Sequence, residues 1–234
     1  RTSEPMIFSG DFLTLSEADP SMDLGAEMHS SDGRSFRYAL AGGTSLVVGT
    51  LQQAQAEATD SQNLACAAAA IGATSVTTTT TLTVTANEFA GGWLIVSVTP
   101  GVGYQYRIRS HPAATAATLV LTLEDPIQVA LTTTSRVDLV HNPYSSIIIN
   151  PTTATSAPVG VAVNNVTNAQ YGFIQIKGVA TILADGASTV GTNVSASNAT
   201  AGAVEPAVTA QAAIGVAITG VASTEYGAFL IWLP

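Results

Sequence analysis

This 234-residue sequence predicts an all-β fold, with two small β-barrel or sandwich domains behind an extended N-terminal arm. Three observations predict it. Short runs of Thr, Val and Ile, the β-branched residues that suit a pleated half-buried surface, are broken at Gly, Pro, Asn and Asp. Only one longer stretch, "LQQAQAEATDSQNLACAA", reads as helix or loop; elsewhere no helical period is sustained. The third is a repeated phrase: "VGVAVNNVTNAQYGFIQI" (159–176) returns without a gap as "IGVAITGVASTEYGAFLI" (214–231).

The first segment, 1–33, scatters apolar residues (Met6, Ile7, Phe8, Phe12, Leu13, Leu15, Met22, Leu24) among acids, Ser and Pro. Neither a strand nor a helix period runs through it, so it reads as an extended arm. Seven of the sixteen acids lie here: Glu4, Asp11, Glu17, Asp19, Asp23, Glu27 and Asp32. "SSDGR" marks a turn, because Asp-Gly supplies a residue at ease with positive φ, and "SFRYAL" then alternates like a first strand.

Residues 34–145 read as a β domain. Its candidate strands are "TSLVVGTL", "TSVTTTTTLTVT", "GWLIVSVT", "YQYRIRS", "ATLVLTL", "IQVALTT" and "RVDLV". Between two of them, Thr85 and Glu88 in "TANEFAGG" have capping-box spacing and Gly91 can end a single helical turn. "NPYSSIIINP" carries two Asn-Pro steps, which disfavour helix at each Asn, and places the junction to a C-terminal domain at 146–234.

That last domain holds the repeated phrase. Gly160/Gly215, Val161/Val216, Ala162/Ala217, Val166/Val221, Tyr171/Tyr226, Gly172/Gly227 and Ile176/Ile231 coincide at constant register, which predicts two equivalent hairpins. Glycine inside a strand marks a place where something approaches the backbone closely. In the first copy Phe173, Gln175 and Lys177 share a face that can meet water beyond the aromatic. In the second copy Ala228, Leu230 and Trp232 take that face and Phe229, Ile231 and Leu233 the other, so the final strand is apolar on both sides. Such a strand is either central in the core or covered by another subunit; Leu230 and Trp232 are the candidate subunit-interface residues.

Charged residues make up only 10% of the chain, against roughly a quarter in ordinary soluble domains. A net charge of −9 with seven Lys and Arg argues against nucleic-acid binding, which needs cations to displace phosphate counterions. No apolar run reaches the roughly 18–20 residues of a membrane-spanning helix, so no membrane partner is expected. Cys66 is the sole cysteine and sits among alanines, which predicts a buried thiol and no intrachain disulfide.

The search for reaction chemistry returns nothing. His29, His111 and His141 lack a second ligand-type residue at metal-site spacing, there is no G-x-S-x-G elbow, and Glu124-Asp125 precedes Pro126 at a strand end. No catalytic, cofactor-binding or metal residue is expected, and an enzyme is not expected.

The passages "DLGAEMHSSDGRSFRYALAGGTSLVVGTL", "TANEFAGGWLIVSVTPGVGYQYRIRSHPAA", "LTLEDPIQVAL" and "RVDLVHNPY" resemble virion proteins of tailed bacteriophages. The stretch "VATILADGASTVGTNVSASNATAGAVEPAV…IGVAI" is similar to the small β domain of phage capsid decoration, or cement, proteins. This resemblance implies a homotrimer on the exterior of the virion that clamps neighbouring major capsid protein subunits and stabilises the head. No residue carries over by motif. Independently of it, Phe8, Phe12, Leu13 and Leu15 of the arm are candidates for docking on the capsid lattice, since each large apolar side chain buried contributes about 1.5–3 kcal/mol. A phage tail or fibre protein that binds a host-surface receptor is the alternative.

Overall fold

The computed structural model describes residues 6–7, 11–57, 59–81, 83–208 and 211–233. The all-β expectation holds: the described residues contain strands, two short 3-10 turns and no α-helix. The chain forms two compact units, but they are divided differently from the sequence expectation of 34–145 and 146–234. Unit 1 combines residues 1–56 with 143–234, and unit 2 is the intervening 57–142. The Asn142-Pro143 step does mark the return into unit 1. The entry into unit 2 lies at the end of the strand "LQQ", where turn chemistry gives no comparable sign.

In chain order, β1 (Met6–Ile7), β2 (Glu27–His29), β3 (Ser35–Leu40) and β4 (Leu51–Gln53) begin unit 1. Unit 2 contributes β5 (Leu64–Ala65), β6 (Ser75–Thr79), β7 (Thr83–Val84), β8 (Trp93–Val98), β9 (Gln105–Ser110), β10 (Ala114–Thr115), β11 (Thr118–Leu123) and β12 (Arg136–Val140). Unit 1 resumes with β13 (Ile148–Ile149), β14 (Pro158–Ala162), β15 (Tyr171–Leu183), β16 (Asn193–Ala196), β17 (Val204–Pro206), β18 (Gly215–Ala217) and β19 (Tyr226–Trp232).

Unit 2 is a six-stranded sheet in the order β5-β12-β8-β9-β11-β6, whose two ends meet at a Cys66–Thr78 bridge and nearly close it into a barrel. Alternation fills the inside: Leu94 and Val96 of β8, Tyr106 and Ile108 of β9, Leu119, Leu121 and Leu123 of β11, and Val137 and Leu139 of β12 are buried together. The predicted turn at 85–91 is present with one of the two capping-box bonds. Glu88 accepts from the Thr85 backbone N–H at 2.8 Å and from its hydroxyl at 3.0 Å, and Gly91 takes φ +71°.

Unit 1 is an eleven-stranded sheet built by duplication. The two hairpins pair in the same register: Val161 opposes Gln175 and Ala162 opposes Ile174, while Val216 opposes Leu230 and Ala217 opposes Phe229. Their turns also match, with positive φ at Ala169 (56°) and Thr224 (68°).

The equivalence extends well beyond the repeated phrase. Gly49, at φ +73°, donates to Ala162 O at 2.8 Å; Gly191, at φ +84°, donates to Ala217 O at 2.8 Å. Leu46 bridges Val166 as Ser188 bridges Val221, and Ala41 meets Ile147 in parallel as Ala184 meets Val204. One repeat is therefore β3, β4, β13, β14 and the first half of β15. The other is the second half of β15 with β16, β17, β18 and β19. Unit 2 is inserted into the first repeat between β4 and β13, where the second repeat has only the short loop 197–203.

The strand β15 belongs to both repeats. Residues 171–177 pair with β3 and 177–183 with β19, and the register shifts between Gln175 and Lys177. Gly178, at φ +93°, lets the backbone absorb that irregularity.

Each repeat has its own inner core. Ala39, Leu46, Ile147, Val166 and Ile174 cluster in the first, and Ala180, Ile182, Val221, Phe229 and Ile231 in the second. The strand glycines answer to close packing, as the sequence suggested. A Cβ on Gly172 would lie 2.6 Å from Val166 Cγ2, and one on Gly227 would lie 3.0 Å from Val221 Cβ.

Candidate functional site

The duplication makes the outer faces of the two repeats comparable residue by residue. In the first repeat Phe36 and Tyr38 of β3 and Phe173 of β15 are fully buried, with Met28 beside them. What buries them is the segment expected to be an extended arm. Residues 11–29 fold back onto this face, with Phe12 edge-on to Phe36 at 5.1 Å and to Phe173 at 5.8 Å, and Leu13, Leu15, Met22 and Leu24 packed around it.

Polar contacts fasten the cover. Glu17 and Tyr171 exchange backbone hydrogen bonds at 3.0 and 2.8 Å. Tyr38 stacks on Tyr171 at 5.6 Å, and its hydroxyl donates to the Glu17 carboxylate. Burial together with that carboxylate pushes the Tyr38 phenol up to about 12. Burial raises the Glu17 carboxyl, but the bonds from Ser21 and Tyr38 outweigh it and hold it below its ordinary range.

Two sequence expectations are corrected here. Phe173 and Gln175 do not share a wetted face: both are buried, and Gln175 donates to the backbone oxygens of Lys177 and Val179 at 3.1 and 2.9 Å. Phe12, Leu13 and Leu15 do not stand free as an extended arm, but are partly buried against their own sheet. Their i, i+1, i+3 spacing carries no strand or helix period, which is why the fold-back was illegible. Phe8 lies outside the described residues.

In the second repeat the equivalent face stands half open, with the Tyr226 ring against Gly49 and with Arg34, Val48 and Leu13 along one side. Val179 stands where Phe36 does, Thr181 where Tyr38 does, and Tyr226, Ala228, Leu230 and Trp232 follow the positions of Tyr171, Phe173, Gln175 and Lys177. Val179 is 50% exposed, Tyr226 53%, Leu230 41% and Trp232 48%, and Ile218, in line with Ala228, adds a further 40%. Val179, Leu230 and Val216 form one cross-strand row, so the patch is contiguous over β15, β19 and β18.

Both predicted interface residues, Leu230 and Trp232, are on this face. Val179 was missed because "KGVATIL" was not recognised as the continuation of β15 past Gly178; Tyr226 and Ile218 were read only as parts of the repeated hairpin. The strand β19 faces two ways: Phe229 and Ile231 face the core, while Leu230 and Trp232 face outward.

Two grooves flank the patch. One of about 490 Å³ is lined by Arg34, Val48, Val179, Thr181 and Tyr226, with Leu13 at its side. The other, about 500 Å³, has Trp232, Ile214, Gln211, Asn198 and Asn150 in its walls.

The titratable groups do not gather here. Among the described residues no group of three or more His, Cys, Asp and Glu is placed to hold a metal ion. In unit 2, His111 Nε2 accepts from the Phe89 N–H at 2.9 Å, and His141 stacks on Phe89 at 4.3 Å with Nε2 3.6 Å from Glu88. Burial lowers the His141 pKa while Glu88 opposes that shift. Cys66 is buried, its Sγ 3.5 Å from Thr132 O, and burial raises its thiol pKa.

Comparison with known protein families, with curated proteins and with solved structures finds no match to this chain.

Proposed function

We propose that this protein is a structural, adhesive component of a virus particle: a bacteriophage capsid decoration protein that binds the outer surface of the major capsid protein lattice and stabilises the head. The observation that carries the proposal is the open outer face of the second repeat. Five large apolar side chains on adjoining strands leave on the order of 400 Å² of apolar surface open to water, within the range of the largest patch on a typical monomer, which is often a functional one. The same face in the first repeat is covered. A molecule with so little charge elsewhere gains from having this surface occupied by neighbouring subunits. On this reading the adhesive surface is the β15–β19–β18 face rather than the Phe12–Leu15 segment.

The test is reconstitution. Purified protein added to expanded heads that lack it is expected to bind in hundreds of copies and to raise the temperature at which the heads rupture. Density in a particle reconstruction then lies on the capsid surface. Density at the tail with few copies refutes decoration and supports the second reading, a tail or fibre protein that binds a host receptor. One feature favours that second reading: the groove with Trp232 beside the amides of Asn198 and Gln211 has the mixed aromatic and polar lining that suits a sugar ring.

A further inference from the structure

We infer that the outer edge of β15 along residues 177–183 is a site of strand addition: it takes one extended polypeptide segment of a partner protein, antiparallel to β15, as β2 lies on β3. On the assembly role proposed above that segment belongs to the capsid subunit, and the inference rests on that reading for the partner's identity alone.

The backbone of the edge carries the argument. Leu183 N–H donates to Gly49 O at 2.9 Å, and the carbonyls of Lys177 and Val179 accept from the Gln175 amide at 3.1 and 2.9 Å. Odd-numbered residues of this half-strand therefore direct their backbone groups away from β19. The strand β14 pairs with β15 only as far as Gln175, and no described strand continues along the edge. Among the described residues, the N–H groups of Val179 and Thr181 and the Thr181 carbonyl have no hydrogen-bond partner.

The duplication tells what such an edge binds. The equivalents of Val179 and Thr181 are Phe36 and Tyr38, and their backbone groups are taken up by β2. Met28 stands opposite Phe36, Tyr38 N–H donates to Ala26 O at 3.0 Å, and the Tyr38 carbonyl accepts from Gly25 at 2.8 Å. The first repeat can supply this strand because the chain enters β3 from β2 through the 30–34 turn. The second repeat cannot: the chain enters its edge strand straight from residues 171–176, which already pair with β3 and β14.

Room and side-chain chemistry agree. The groove of about 490 Å³ runs beside this edge, with Gly49 and Tyr226 toward Leu183 and Arg34 toward Gly178. The Gln175 side-chain amide occupies part of the edge as a strand's backbone N–H would, which protects it until a strand displaces it. Val48 and Val179, 46% and 50% exposed, suit an apolar residue of the entering segment. Arg34 is paired to Asp32 at 2.6 Å, so the net positive charge at that end is that of exposed Lys177, which has no ion pair among the described residues. A carboxylate on the segment would meet it there, as Glu27 of β2 meets Arg37 at 3.0 Å. The partner is therefore an extended apolar segment with one acid, the chemistry of β2 itself; main-chain bonds supply its affinity and the side chains its specificity.

The probe is a fluorescein-labelled peptide of residues 23–30, DLGAEMHS, the segment that covers the equivalent edge. Titrated with the full chain, it is expected to bind with Kd on the order of 10–100 μM by fluorescence anisotropy. Amide hydrogen exchange is expected to slow at Val179 and Thr181, while Phe36 and Tyr38 keep the protection they have without peptide. In β2, Ala26, Met28 and Ser30 direct their backbone groups at β3. N-methylation of the peptide at Met28 is therefore expected to weaken binding about tenfold, and N-methylation at Glu27 less than about twofold. Thr181→Pro, which removes an N–H that β19 does not use, is expected to match the tenfold loss. The methylated peptides leave the protein untouched, so they keep the readout meaningful if Thr181→Pro disturbs folding.

No binding at roughly 1 mM peptide, equal effects of the two methylations, or protection gained at Phe36 and Tyr38 instead overturns the inference. The decoration proposal fails separately. A chain that takes the peptide but ignores phage heads leaves strand addition intact, and a Thr181→Pro chain that coats heads as well as the wild type overturns strand addition as the capsid contact while decoration stands.

Discussion

Replacing Gly172 by Ala adds one methyl group where the packing of the first repeat has no room. The backbone at Gly172 is outside the left-handed region, so the substitution carries no conformational strain and its effect is steric alone. The new Cβ would stand 2.6 Å from Val166 Cγ2 and 2.8 Å from the Leu15 carbonyl oxygen, against the 3.5–4.0 Å of a comfortable carbon contact. Overpacking of this kind costs about 1–3 kcal/mol. The repeat-equivalent Gly227→Ala meets its nearest atom at 3.0 Å and is expected to cost about half as much.

Each unit contains one of the two tryptophans, Trp93 in unit 2 and Trp232 in unit 1. In a Trp93→Phe background, fluorescence therefore follows unit 1 alone. Gly172→Ala is expected to lower its melting temperature by about 4–8 °C if the cost is near 2 kcal/mol. Adding Val166→Ala removes the clashing methyls, so the double variant should lose at least about 1 kcal/mol less than the two single losses together. A neutral Gly172→Ala, or strict additivity with Val166→Ala, would refute the claim that these glycines exist for close approach.

Three further outcomes follow from the same geometry. Phe12→Ala removes a half-buried ring from between Phe36 and Phe173 and is expected to cost about 2 kcal/mol, with earlier proteolysis within residues 11–24; equal protease resistance in wild type and variant would count against the fold-back. Burial, opposed by Glu88, lowers the folded pKa of His141 below the unfolded value near 6.5. Its contribution to unit 2 is fully present above the unfolded value and is lost as pH falls from there through the folded pKa. His141→Phe should flatten this acid dependence, read from denaturant midpoints between about pH 7 and 5. Cys66 should resist thiol reagents in the native state and react on unfolding, because its thiol is buried and its pKa raised; rapid native labelling would contradict that burial.

The local chemistry of the sequence determined a great deal. Runs rich in β-branched residues between turn residues marked β8, β9, β11 and β12, the Thr85–Glu88 spacing marked its turn, and the repeated Gly and Tyr positions marked two hairpins with one register, β19 among them. These are properties of residues near one another in the chain, where backbone sterics and side-chain period act directly. The extent of the duplication was less legible, since "VVGT" and "TVGT" are too short to stand out in a chain so rich in Thr, Val and Gly.

Tertiary structure decided the rest. Residues 34–56 belong with the C-terminal half because β3 and β4 find their partners in β15, β13 and β14, all far along the chain on the other side of unit 2, and the sequence between can fold as a unit of its own. The same logic separates Phe36 from Val179. Both sit at equivalent places in a repeat, yet one is buried and the other half open. A side chain's exposure depends on which distant segment lies over it, and residues 11–24 lie over only one of the two faces.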